Sequence, residues 1–363
     1  MTRTPDAGDD RVVVLAHGQF PDRAKTAVGV LKYADSEVVA VLDRDRAGTV
    51  AADHRADLPP VPIVASMADA PDADALLVGI APIGGGFDES WRPDLRAAIE
   101  RGCDVVAGLH YFLSEDAELA ALADDHGVEL RDVRKPDPDI GVAEGRSAEV
   151  DADVVLTVGT DCSVGKMTVA LELVAAARDR GVDAAFVPTG QTGIVIAGWG
   201  NPVDRVIGDF TAGAVEEMVR EVGDDHDLLV VEGQGSIVHP AYSGVTCGLL
   251  HGAMPDAMVL CHAAGRDAIH GYESVSLPPV SEYVDLYERL AAPVHEAAVV
   301  AGALNTSEVD AEDDARAAVD DYADALGAPA ADVVRFGPDP ILDAILDGGR
   351  RGGADTPDDG GGV

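Results

Sequence analysis

Apolar, β-branched runs of four to seven residues recur along the chain, separated by longer stretches whose apolar spacing suits helices. Continuous rather than alternating hydrophobicity predicts strands covered on both faces, and the strand–helix alternation predicts parallel α/β layers. In the first half, strands are expected at 11–16, 37–42, 62–66, 75–80 and 103–107. In the second half they are expected at 153–158, 184–187, 227–231, 257–261, 297–303 and 332–336. Between the halves, VRKPDPDIGVAEGRSAEV carries Pro, Gly and charge without periodicity, the mark of a boundary. The expected organisation is α/β with two doubly wound domains, 11–135 and 151–348, joined by a linker at 136–150. The polar, low-complexity ends, 1–10 and 349–363, are expected to be disordered.

Composition narrows the class. The 363 residues are 47% hydrophobic, enough to bury a core, yet Lys+Arg number 26 against 66 Asp+Glu, a formal charge of −40. A phosphate backbone would be repelled, so nucleic acid is excluded as a partner. Only four lysines (Lys25, Lys32, Lys135, Lys166) stand beside 22 arginines. At molar salt the Debye length shrinks to about 3 Å, and such a surface then solubilises rather than repels itself. The expectation is a haloarchaeal, halophilic cytoplasm. Cys103, Cys162, Cys247 and Cys261 are scattered without zinc spacing, and no apolar run reaches membrane-spanning length. Neither a metal site nor a membrane partner is expected, and localisation is read as cytoplasmic.

Most of the chemical information lies after the strand at 153–158. There Gly159, Thr160, Asp161, Cys162, Ser163, Val164, Gly165, Lys166, Met167 and Thr168 lead into a helix-like stretch. A strand, a glycine-bearing loop, Gly-Lys and a helix N-terminus form an anion cradle. Backbone N–H groups and the helix dipole converge on a phosphate, and the lysine adds a point charge. The loop departs from the standard phosphate-binding loop twice: its first glycine is one position early, and Met167 stands where a Mg²⁺-binding hydroxyl belongs. A thioether is a poor ligand for a hard cation, so the loop suits a nucleotide-like cofactor held without being cleaved. The early glycine resembles the loop of dethiobiotin synthetase, G-T-D-T-x-V-G-K-T.

Other polar residues follow the carboxyl ends of successive strands, where α/β domains gather ligands. They are Gln191 and Thr192 after 184–187, Glu232, Ser236 and His239 after 227–231, His262 and Arg266 in LCHAAGR, Asn305, and Asp209 in VIGDFTAG. Each alone reads equally well as a cap or a turn. Their clustering favours a site.

The order GTDCSVGKMT, PTGQTG, IGDFTAG, VEGQGSIVHPAYSGVT and LNT, with APIGGGFDESW, GLHYFL and RKP in the first half, resembles the D-glutamate N-acetyltransferase-like family. That family was long catalogued as a domain family of unknown function. The resemblance covers nearly the whole chain apart from the tails. It implies a Rossmann-like N-terminal domain, a P-loop NTPase-like C-terminal domain, and acetyl transfer from acetyl-CoA to the amino group of a small amino acid, D-glutamate or another D-amino acid. Coenzyme A carries a 3′-phosphate and a pyrophosphate, which suit the Lys166 loop. Acetyl transfer needs a base and donors to the carbonyl oxygen. Glu232, His239 and His262 are the catalytic candidates. Residues 159–168 and Asn305 are the cofactor candidates, and Gln191, Thr192, Asp209, Ser236 and Arg266 the substrate candidates, with Arg266 suited to a carboxylate. The alternative is an ATP- and Mg²⁺-dependent ligase or kinase-like enzyme of the dethiobiotin synthetase type. A dehydrogenase would rest on His17-Gly18-Gln19-Phe20 and Asp43, without a G-x-G-x-x-G, and Gly84-Gly85-Gly86 offers a candidate ligand loop. The partner expected is a small-molecule amino acid, and the chain is expected to form a homo-oligomer.

Overall fold

The computed structural model describes residues 11–80 and 86–348; the expectations for both tails and for Gly84-Gly85 lie outside them. The chain divides into two units, the first comprising residues up to Pro138 together with Gly190–Arg205, the second Asp139–Thr189 and the remainder from Val206. Among the described residues no helix is long and apolar enough to cross a membrane.

In the first unit, β1 (Arg11–Leu15), β2 (Glu37–Leu42), β3 (Ile63–Val64), β4 (Ala75–Val78), β5 (Asp104–Ala107) and β6 (Leu130–Asp132) form one sheet. Its order is β3-β2-β1-β4-β5-β6 and every pairing is parallel. The order reverses between β1 and β4, the doubly wound arrangement that continuous apolar runs predict. Helices α1 (Lys25–Tyr33), α2 (Arg92–Glu100) and α3 (Ala117–His126) cover it. Gly79 follows β4 because a β-carbon there would lie 2.5 Å from Val14 Cγ1 and 2.8 Å from Ala27 Cβ. Its absence lets α1 lie close on the sheet. Strand β6, Leu-Arg-Asp, has no apolar run and escaped the sequence pattern.

In the second unit the chain runs β7 (Asp153–Gly159), α4 (Lys166–Asp179) and β8 (Ala184–Val187). After α5 (Gln191–Ala197), which belongs to the first unit, it makes α6 (Thr211–Val222), β9 (Leu228–Val231), α7 (Ser243–Ala253) and β10 (Ala257–Ala263). A hairpin of β11 (Ala268–Ile269) and β12 (Tyr272–Ser276) precedes α8 (Val280–Ala291), β13 (Ala298–Asn305), α9 (Glu312–Leu326), β14 (Ala330–Ala331) and α10 (Asp339–Gly348). The second sheet is parallel with order β14-β13-β10-β7-β9-β8, so β7 is interior and adjoins the strand that leads to Glu232. Its core is fully buried at Val231, Met258, Leu260 and Cys261.

Three local readings differ from the pattern. The last strand falls at 330–331 rather than 332–336, because the Asp332 carboxylate accepts hydrogen bonds from Thr306 N, Val334 N and Arg335 N and turns the chain. The stretch 141–150 is docked on the second unit: Glu144 N and Arg146 N donate to the Glu216 carboxylate, and Ser147 Oγ donates to Gly252 O. Helix α5 leaves its neighbours in sequence and packs on α1, with Thr192 Oγ1 2.8 Å from Thr26 Oγ1.

Candidate functional site

Strand β7 ends at Gly159, and the chain curls to the start of α4 through Ser163 (φ 56°) and Gly165 (φ 105°). Left-handed residues alternating with right-handed ones turn successive N–H groups inward, which is how an anion nest forms. Lys166, 7% exposed, folds back so that Nζ donates to Asp161 O and Gly235 O, each at 2.8 Å. The early glycine has a steric reason. A β-carbon at Gly159 would stand 2.9 Å from Lys166 Nζ.

The loop is anchored from below. Ser236 Oγ donates to Thr160 O at 3.0 Å, Tyr283 OH to the same oxygen at 2.8 Å, and Tyr287 OH to Gly159 O at 2.7 Å. Tyr287 OH also accepts from Ile237 N at 3.1 Å, and burial pushes its phenol up to about 12. Sequence reasoning missed both tyrosines. Their signal was two aromatics four apart on one face of α8, in a chain with only 7 tyrosines. Tyr287→Phe strands a buried carbonyl and a buried N–H, so it is expected to cost about 1–3 kcal/mol, read as a lower denaturant midpoint.

Asp161 is fully buried: Oδ1 accepts from Cys162 N at 2.7 Å, and Oδ2 from Arg266 Nη1 at 2.9 Å and His270 N at 2.8 Å. Arg266 Nη1 also reaches Cys162 O at 3.1 Å. In this conformation Arg266 holds the loop in shape, and a substrate carboxylate must compete with Asp161 for it. Donor atoms of Asp161, Cys162 and His239 lie within 4.8 Å of one another. Of these, Asp161 accepts three hydrogen bonds.

The two histidines meet different partners at Nδ1. His239, 1% exposed, accepts Ala241 N–H at Nδ1 (3.1 Å), so the neutral ring carries its proton on Nε2 and acts there as a donor. Burial lowers its pKa, with Lys166 adding to the effect against Asp161. His262 Nδ1 lies 2.7 Å from Thr160 Oγ1, which is also 3.5 Å from Cys261 O. Burial, then the Arg266 guanidinium, push His262 down to about 4 against the pull of Asp161. The unfolded chain binds this proton below about pH 6.5, the folded chain only near 4. Stability is therefore complete above about 6.5 and falls as pH drops through that window. Melts at pH 7.5 and 5 should show the loss, and His262→Gln should shrink it.

The remaining candidates are spread out. Glu232, 3% exposed, accepts from Thr189 N at 3.2 Å, and Gln234 Nε2 donates to Thr189 Oγ1. Val164 (1% exposed) and Met167 (4%) point into the core, while Thr168 is half-buried in the first turn of α4. Asn305 ends β13 and caps Ser307 N. Asp209 is exposed in the turn before α6. Gln191 and Thr192 belong to the first unit, where Gln191 lies against Gly108. In that unit Asp43, fully buried, accepts from Gly18 N and Asp45 N and pairs with Arg46, so its carboxylate closes the loop after β1. A ribose would find it already engaged.

Fold and site together define a class: an α/β protein with a Rossmann-like unit and a P-loop unit whose lysine is followed by methionine. Residues 141–342 match the family described as "Domain of unknown function (DUF1611_C) P-loop domain", and residues 44–136 match the "DUF1611_N" Rossmann-like domain. The chain belongs to this DUF1611 family. It is 37% identical over 336 residues to a D-glutamate N-acetyltransferase of Tritonibacter scottomollicae, covering 92% of this chain and 97% of that protein. It is 38% identical over 271 residues to a protein of the same name from Pseudoalteromonas sp., covering 74% and 80%. A crystal structure of a DUF1611 family protein from Anabaena variabilis superposes with a TM-score of 0.88 at 39% identity, covering 93% of this chain and 99% of that one.

Proposed function

We propose that the chain is an N-acetyltransferase that moves the acetyl group of acetyl-CoA to the amino group of a D-amino acid, D-glutamate first. The observation that carries this reading is a phosphate loop with a buried lysine and a buried Met167 in place of the metal-binding hydroxyl. Such a loop grips an anion by N–H groups and one ammonium, which suits a phosphate that is held and not cleaved. The names of both curated relatives support it. Coenzyme A supplies the acetyl thioester, and Lys166 with the N–H groups of residues 163–166 would hold its phosphate. Of the catalytic candidates, His262 is neutral above about pH 4, the charge state required to take a proton from the substrate ammonium. His239, with its proton on Nε2, suits the carbonyl oxygen as it gains charge. Glu232 lies on the neighbouring strand end as the second base candidate.

The test is thiol release from acetyl-CoA by the purified protein in molar KCl with D- and L-amino acids, and parallel wells of ATP with Mg²⁺. Thiol release with D-glutamate is expected, at a rate that EDTA leaves unchanged. ADP formation without thiol release would overturn the reading in favour of the ligase.

A further inference from the structure

Four of the chain's 7 tyrosines gather at the phosphate loop, all within the second unit. Tyr283 and Tyr287 are buried and brace it from below, whereas Tyr242 and Tyr272 remain 50% and 42% exposed. The exposed pair is held by backbone tied to the loop itself. Gly235, whose carbonyl accepts from Lys166 Nζ at 2.8 Å, has a φ of 67°, and a β-carbon there would lie 2.9 Å from Tyr242 Cβ. Tyr242 is thus seated against the residue that the lysine grips. On the other side, His270 N donates to Asp161 Oδ2 at 2.8 Å, which pins the turn between β11 and β12 to the loop and sets Tyr272 at the start of β12. Both rings meet on His239: Tyr242 with centroids 4.5 Å apart and planes tilted by 32°, Tyr272 edge-on at 5.3 Å. A His239 nitrogen lies within 4.8 Å of the Asp161 carboxylate and of Cys162 Sγ, so the aromatic group borders the loop directly. Covering His239 uses only part of each ring. The area left in water forfeits its burial energy until another flat ring stacks on it.

We propose that Tyr242 and Tyr272 form the stacking platform for the adenine ring of the phosphate-bearing cosubstrate. The inference rests on the acetyl-CoA reading and deepens it, adding the adenine to the phosphate held by Lys166. A single ribose separates adenine from the phosphates at that end of coenzyme A. An anion seated in the loop therefore leaves the base at the loop's edge, where the tyrosines stand. Stacking needs only a π-face, so it holds in molar salt, where ion pairs are screened.

Isothermal titration of the full chain in molar KCl tests the platform, with CoA, adenosine 3′,5′-bisphosphate and inorganic pyrophosphate as probes. Tyr242→Ala and Tyr272→Ala should each lose about tenfold for CoA and for the bisphosphate, the loss that follows when a ring under one base is truncated. Pyrophosphate has no base and should bind the wild type and both variants alike. Tyr242→Phe and Tyr272→Phe keep the ring and should keep the affinity for all three probes. No binding of the bisphosphate by the wild type, or wild-type affinity for it in either alanine variant, overturns the platform. So does an equal loss for pyrophosphate, which would make the tyrosines props of the loop. Thiol release separates the platform from the acetyltransferase. Turnover with an unchanged acetyl-CoA KM in both alanine variants removes the platform and keeps the acetyltransferase; no turnover in the wild type, with tyrosine-sensitive bisphosphate binding, does the reverse.

Discussion

Lys166→Met is expected to lower kcat/KM for acetyl-CoA by about 10- to 100-fold, mostly through KM. A hydrogen bond from a charged donor is worth about 1.5–3 kcal/mol, and each 1.4 kcal/mol is a factor of ten. The ammonium also ties Asp161 O to Gly235 O, so the variant loses a clamp between the loop and the chain after β9. Thermal shift on adding CoA separates the two effects. CoA should raise the wild-type melting temperature and leave that of the variant unmoved, even if the variant melts lower by itself. An equal CoA shift in both proteins would mean that the loop does not hold the cosubstrate.

Gly233→Ala is expected to be the most damaging single methyl group in the second unit. A β-carbon there would fall inside the contact distance of Thr157 O, 2.9 Å from the carbonyl carbon behind it, and 3.2 Å from Lys166 Cδ. Gly233 N–H donates to Thr157 Oγ1 at 3.0 Å, so the close approach of the chain after β9 to β7 is part of the site's construction. Overpacking of this kind costs about 1–3 kcal/mol when neighbours can move, and more when the neighbour is interior backbone. The expected outcome is poor yield of folded protein, or a denaturant midpoint well below wild type. A Gly165→Ala control meets no atom within 4 Å and suffers only the penalty of its φ of 105°.

How much was legible depended on how local the instruction was. The strand at 37–42, the loop and its helix, and the glycines at 159 and 165 were legible because each is dictated by neighbouring residues: an apolar run, a left-handed turn, a helix start. Strand β6 and the true position of β14 were not, since one lacks an apolar run and the other is displaced by the Asp332 turn, whose partner Thr306 is 26 residues away. Arg266 read as a carboxylate binder from its position in LCHAAGR. Only the fold shows that Asp161, 105 residues upstream, already engages it.

By itself the sequence determined the two α/β halves, the anion loop and its missing metal ligand, because hydrophobic period, glycine placement and the residue after the lysine are one-dimensional facts. Tertiary structure decided which groups meet. It set Tyr283 and Tyr287 beneath the loop, fixed the tautomer of His239, sent α5 to the first unit, and brought Arg205 to the ring of Phe112. Strand order and crossover connections bring together residues tens to hundreds of positions apart. A side chain's charge state and hydrogen-bonding role are then fixed by partners that no local pattern names.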